Sequence, residues 1–243
     1  MTKTLIWITG GSAGLGAALA TTAPFDDPHV VSISRSPGPD HTEHLPADLA
    51  DPLSWGSVEA HMLARLTEFR GEQVLFVHNA GTLEPMGFAG EVDSLTYRSN
   101  VLLNSASGQV LGHAFLKAVI ESGFTGKATL LMITSGAATN PYPGWSSYAA
   151  AKAALDHWVR TVGEEQRIRD SNITALSVAP GVVDTSMQTS IRTMDEADFP
   201  NVGNFHKLHE EGALQQPEEA ARKVWAVVGR ALPSGTVTDI RKA

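Results

Sequence analysis

The sequence contains no cysteine, which excludes a disulfide framework, a thiolate metal site, a cysteine nucleophile and a thiol redox switch. Positive charge is scarce: 18 Lys and Arg stand against 26 Asp and Glu, a formal charge of -8, and no basic run offers the footprint that a phosphate backbone needs. Nucleic acid is not an expected partner. Long apolar runs are missing as well. No stretch approaches the roughly 20 apolar residues of a membrane span, and the short run Leu5 to Ile8, which a signal-peptide core would have to extend, is broken by Thr9-Gly10-Gly11-Ser12. The expectation is therefore a cytoplasmic protein with no membrane anchor and no metal.

What remains is ordinary for a globular chain: 243 residues, 42% of them hydrophobic, enough for one sizeable core in a single domain over 1–243. Short apolar runs alternate with longer amphipathic segments, the pattern of βα units wound into a parallel sheet. Strands are expected at Leu5 to Thr9, Val30 to Ser34, around Leu45, Val74 to His78, Thr129 to Thr134, Ile173 to Val178 and Thr236 to Ile240. Several are apolar at consecutive positions, so helices must cover both faces. Asp51-Pro52 supplies a cap and a first-turn proline for a helix that Gly71 is expected to close. Leu111, Phe115, Ala118 and Val119 form one core-facing stripe, and Val224, Val227, Val228 and Ala231 another. From Val182 to about Gly212 no periodicity is evident, which predicts an irregular segment over the substrate site.

The first strand runs into Thr9-Gly10-Gly11-Ser12-Ala13-Gly14-Leu15-Gly16 and then into good helix formers. Such a loop brings exposed N–H groups and the positive end of a helix to a pyrophosphate, although the spacing is not GxGxxG and, taken alone, also suits a plain turn packed under a helix. About 20 residues later, where Asp or Glu would meet a free ribose 2′-hydroxyl, stand Ser34 and Arg35. A guanidinium pairs with a 2′-phosphate, so the chemistry favours NADP, with a solvated surface arginine as the alternative. Tyr148 and Lys152 are spaced to share one helix face, where an ammonium would lower the phenol's pKa and equip Tyr148 for proton exchange. Ser135 follows the fifth strand within reach of the same substrate oxygen.

Thr9-Gly10-xxx-Gly14-x-Gly16, Asn79-Ala80-Gly81, Ser135, Tyr148-xxx-Lys152 and Pro180-Gly181 resemble, in order and spacing and over essentially the whole chain, the short-chain dehydrogenase/reductase family. The resemblance implies a single Rossmann-type, doubly wound α/β domain of about seven parallel strands with helices on both faces. It implies that Ser135 polarises the substrate carbonyl, that Tyr148 is the general acid, and that Lys152 binds the nicotinamide ribose. Asn100, in the Ser99-Asn100-Val101 stretch of the fourth helix, resembles the family's fourth catalytic residue, with Asn104 competing for that role. Cofactor contacts are implied at Gly10, Ser12, Gly14, Leu15, Gly16, Ser34, Arg35, Asp48, Leu49, Asn79, Ala80, Gly81, Pro180, Gly181, Val183 and Thr185, besides Tyr148 and Lys152.

The segment Ser234 to Asp239 is similar to the last strand of sepiapterin and benzil-type diketone reductases. That similarity implies a substrate contact for Asp239, with Trp145 in the pocket wall; a carboxylate that merely ends a strand is the competing reading. The expected activity is NADPH-dependent reduction of a small ketone or diketone. An alcohol dehydrogenase or 3-oxoacyl reductase of the same family is the alternative, and a non-catalytic NADP-sensing regulator is a further one. A homodimer or homotetramer is implied, and the small residues Ala149, Ala150, Ala153 and Ala154 would permit close helix approach.

Overall fold

Strands that are apolar at consecutive positions need cover on two sides, and this requirement organises the fold. In the computed structural model, which describes residues 3–241, every expected strand forms: β1 (Thr4–Thr9), β2 (His29–Ser34), β3 (Glu43–Pro46), β4 (Gln73–His78), β5 (Lys127–Ile133), β6 (Ile173–Ala179) and β7 (Thr236–Asp239). They build one parallel sheet in the order β3-β2-β1-β4-β5-β6-β7. Side chains alternate across it. Leu5 and Trp7 of β1 join one core, with Val58, Met62 and Leu66 of α2 (Trp55–Glu68), Leu111 and Phe115 of α4 (Ser107–Glu121), and Leu155 and Val159 of α5 (Ser146–Ile168). Ile6 and Ile8 join the opposite core, with Leu19 of α1 (Gly14–Thr21) and Val224, Trp225 and Val228 of α8 (Pro217–Val228).

Local punctuation explains where the elements begin and end. Asp51 accepts a hydrogen bond from the Leu53 N–H at 3.0 Å, but the turn it caps, Pro52–Ser54, is a short 3₁₀ segment leading into α2. Gly71 does not close that helix: α2 stops at Glu68 and Phe69 turns extended at φ -71°, ψ 132°. The chain must leave early because Glu72 and Gln73 both donate to the Lys3 carbonyl as β4 begins. The predicted α8 stripe holds at Val224, Val227 and Val228, but Ala231 lies past the helix end and is exposed.

Two further departures bear on function. The chain from Ser94 to Glu121 is helical throughout, α3 (Ser94–Val101) joining α4 through a π-helical turn at Leu102–Ala106. The stretch from 182 to 212 is not irregular: it folds into α6 (Ser186–Arg192) and α7 (Val202–Glu210). Both helices are short, and their apolar residues pack on a third cluster with Leu83, Ala137, Trp145, Tyr148 and Phe199, built from the segments that follow β4, β5 and β6. The sheet order reverses between β1 and β4, and in open α/β sheets ligands bind outside the strand carboxyl ends at that point.

Candidate active site

The glycine loop leaves β1 in conformations that L side chains rarely adopt, with φ +65° at Gly10 and +51° at Gly14. At Gly16 a Cβ would stand 2.1 Å from the Gly10 carbonyl oxygen, so the loop and α1 can touch only without a side chain. The N-cap of α1 is Ala13, which has no side-chain acceptor, and the N–H groups of the first turn remain available to an anion. A groove of about 510 Å³ runs from Gly10 and Ser12 past Ser34, Arg35, Asp48 and Leu49 to Ala80 and Gly81. This cradle fits a dinucleotide. Arg35 is exposed at its wall, where an acidic side chain would repel a 2′-phosphate.

The segments expected to contact the cofactor hold one another in place. Thr9 Oγ1 accepts the backbone N–H groups of Asn79 at 2.9 Å and Ala80 at 3.0 Å. Asn79 does not line the groove; its side-chain amide donates to the Thr9 carbonyl at 3.1 Å and braces the glycine loop from beneath. Leu15 packs against the core of α1 and α8. Pro180 to Thr185 reaches over the loop, since a Cβ on Gly14 would meet Thr185 Cγ2 at 3.2 Å. Gly181 sits at φ +73°, and Val183 is held by a bridge to Gln215.

Past the carboxyl end of β5, Ser135 caps a 3₁₀ turn, accepting the Ala137 N–H at 3.2 Å. It lines the same cavity as Tyr148, which stands in the first turn of α5. Lys152, one turn further, is 3% exposed; its Nζ lies 5.6 Å from the Tyr148 ring centre and donates to the Ile133 carbonyl at 2.9 Å. Burial pushes Lys152 down to about 8, opposed by the charge of Asp156. For Tyr148 the expected lowering is reversed: burial raises its pKa and only the Ser135 hydrogen bond opposes that. The physical reason is geometric, because the ammonium stands over the ring and spends a hydrogen bond on a carbonyl.

Of the two asparagines, Asn100 lies in α3, not in a fourth helix, and its amide donates to the carbonyls of Glu84 at 2.7 Å and Thr82 at 3.3 Å. Asn104, in the π turn, accepts the Thr82 N–H at 2.8 Å and donates to the Thr82 carbonyl and to Asn100 Oδ1. Asn104 is the one that approaches the lysine. A Cβ on Gly81 would lie 2.9 Å from Asn104 Oδ1 and 3.7 Å from Lys152 Nζ.

Beside Ser135 and Tyr148 opens a cavity of about 140 Å³, walled by Trp145, Met187, Ile191, Phe205 and Arg241. Trp145 stacks on Phe199 at 4.6 Å and 16° and meets the Tyr148 ring edge-on at 5.7 Å. Asp239 is not in this wall. Arg241 grips it through its backbone N–H and Nε, each at 2.9 Å, and of the two residues it is Arg241 that lines the cavity. Sequence reasoning missed Met187, Ile191, Phe199, Phe205 and Arg241. Met187 and Ile191 share a face of α6 at i, i+4, but helices of 7 and 9 residues are too brief to register, and Phe199 lies in the turn between them.

Comparison with known proteins agrees with this geometry. The short chain dehydrogenase family model matches residues 4–196. Benzil reductase ((S)-benzoin forming) from Bacillus subtilis (strain 168) is 33% identical over 238 residues, covering 97% of each chain. Sepiapterin reductase from Rattus norvegicus is 29% identical over 242 residues, covering 92% of this chain and 90% of the relative. The crystal structure of the KRED1-Pglu enzyme superposes with a TM-score of 0.80 at 29% identity, covering 96% of this chain and 99% of the other. With the glycine loop, the serine–tyrosine–lysine grouping and these relatives in agreement, the chain is an oxidoreductase of the short-chain dehydrogenase/reductase family, on the benzil and sepiapterin reductase branch.

Proposed function

We propose that this protein is an NADPH-dependent carbonyl reductase acting on small ketones and vicinal diketones, with an aromatic substituent seated against Trp145 and Phe205. The observation that carries this reading is that Ser135 and Tyr148 line one aromatic-walled cavity together, with a buried lysine behind the tyrosine. Benzil, the substrate in the name of the Bacillus relative, is a diaryl diketone of that description. The groove residues Gly10, Ser12, Gly14, Asp48, Leu49, Ala80 and Gly81 would hold the dinucleotide, with Arg35 on the 2′-phosphate and Val183 and Thr185 toward the nicotinamide. Bound NADPH supplies the hydride.

Ser135 donates a hydrogen bond to the substrate oxygen and fixes the carbonyl. Tyr148 delivers the proton as negative charge develops there, and the Lys152 ammonium stabilises the phenolate that remains. Both amides bind the chain after β4, and Asn104 suits the relay position better because its Oδ1 and Lys152 Nζ both lie beside Gly81. Helices α6 and α7 cover the substrate and exclude water. Ala149, Ala150, Ala153 and Ala154 lie on the accessible face of α5 and provide a surface for subunit pairing in a homodimer or homotetramer.

The test is NADPH oxidation with a panel of vicinal diketones and sepiapterin, with NADH in parallel. Turnover with NADPH and little with NADH is expected. Equal rates with NADH would overturn the role of Arg35, and no turnover with either nucleotide would overturn the substrate class.

A further inference from the structure

A charge taken out of water demands a partner, and one such charge in the core has no part in the chemistry so far described. Asp156 is 4% exposed and lies one helical turn beyond Lys152 on the buried face of α5. Its Oδ1 accepts the Ser177 hydroxyl at 2.6 Å. Ser177, in β6, stands opposite Met132 of β5, next to Ile133, whose carbonyl receives the Lys152 ammonium. Two anchors in adjacent strands thus fix the carboxylate and the ammonium over the sheet.

The other groups facing Lys152 add no counter-charge. Tyr148 precedes it on α5. His78, on β4, is neutral: burial first, and the Lys152 charge second, hold its imidazole down to about 3. The π turn between α3 and α4 brings Asn104, which is uncharged, and β5 brings the Ile133 carbonyl. Among the described residues, the negative charge that acts on Lys152 is that of Asp156.

We propose that Asp156 is a positioning residue for the reduction: anchored by Ser177, its carboxylate keeps Lys152 charged and in place behind Tyr148, so that the phenol can release its proton. The inference rests on the reading of Tyr148 as general acid. Without Asp156 burial would act on Lys152 unopposed, its pKa would fall, and the ammonium would persist only to a lower pH. The alkaline limb of the kcat profile would move the same way.

The test compares pH profiles of kcat for the full-length protein and its Asp156→Asn variant, which preserves shape and can still accept from Ser177. The expected result is an alkaline limb shifted down by about one pH unit, with a loss of about tenfold near pH 8.5 that shrinks to about twofold near pH 7 and nearly vanishes near pH 6. Asp156→Glu should restore most of the limb, and Ser177→Ala should shift it the same way by less. A loss of equal size at every pH, or an unmoved limb while Tyr148→Phe is inactive, overturns the proposal and leaves the tyrosine reading standing. Turnover retained in Tyr148→Phe overturns that reading and this inference with it. If Asp156→Asn does not fold, Ser177→Ala decides, and an unmoved limb there overturns the proposal.

Discussion

The dinucleotide groove and the aromatic cavity are linked through the segment Gly81 to Glu84, yet they are built by opposite means. The groove is made largely of backbone: Gly10, Gly14 and Gly16 shape it, and the turns after β1, β2, β3 and β4, on both sides of the reversal in sheet order, complete it. The cavity is made of large side chains that arrive from distant segments, Trp145 from the start of α5, Ile191 from α6, Phe205 from α7 and Arg241 from beyond β7. A backbone site tolerates variation around it and binds a constant ligand. A side-chain site changes its ligand when one residue changes.

That contrast can be broken first at the residue proposed to carry the chemistry. Tyr148→Phe should lower kcat by about a hundred- to ten-thousand-fold while NADPH still quenches protein fluorescence with unchanged affinity; lost binding would mean that the tyrosine holds the groove rather than performing chemistry. Phe199→Ala comes next. Phe199 is fully buried and stacked on Trp145, so truncation should cost about 3–5 kcal/mol of unfolding free energy. The KM for an aryl ketone should rise with NADPH affinity intact, and denaturant unfolding with parallel kinetics reads both.

Arg35→Ala acts on the groove alone. Loss of a charge-assisted contact should weaken NADPH binding by about 10- to 100-fold and leave NADH binding within about twofold, as titration calorimetry with both nucleotides would show. The smallest effect belongs to the edge strand that presents Asp48 and Leu49. On β3, Glu43 is pushed up by burial but held at about 2 by hydrogen bonds from His61, His29 and Arg65 and by the arginine charge. Its folded value lies below its ordinary 4.5, so its contribution is complete above about pH 4.5 and is lost as the pH falls through about 2. Glu43→Gln should therefore cost about 1 kcal/mol at neutral pH and flatten the acid limb of a stability profile, with the cavity kinetics unmoved.

Legibility in the sequence follows the same division. The central strands were readable because β1, β2, β4, β5 and β6 are runs of largely buried β-branched and apolar residues, and the glycine loop because positive φ and close backbone approach admit one residue type. Tyr148 and Lys152 were readable because one helical turn separates them. Asn100 and Asn104 were not separable, since a π turn alters the register of the helix after Val101, and no local pattern announces that turn. The helices at 186–192 and 202–210 were missed because they pack on Leu83, Trp145 and Tyr148, contacts far along the chain that a local period does not contain.

By itself the sequence determined what depends on local backbone chemistry: the parallel sheet, the dinucleotide loop, the tyrosine and lysine on one face, and the family these resemble. The tertiary structure decided which side chains converge from separate elements. It gave Asp239 to Arg241, sent Asn79 beneath the loop rather than into the groove, closed the cavity with α6 and α7, and set Asp156 behind Lys152. The reason is physical: spacing along a chain encodes neighbours one turn or one strand position apart, whereas burial and charge pairing between distant segments exist only once the core has formed.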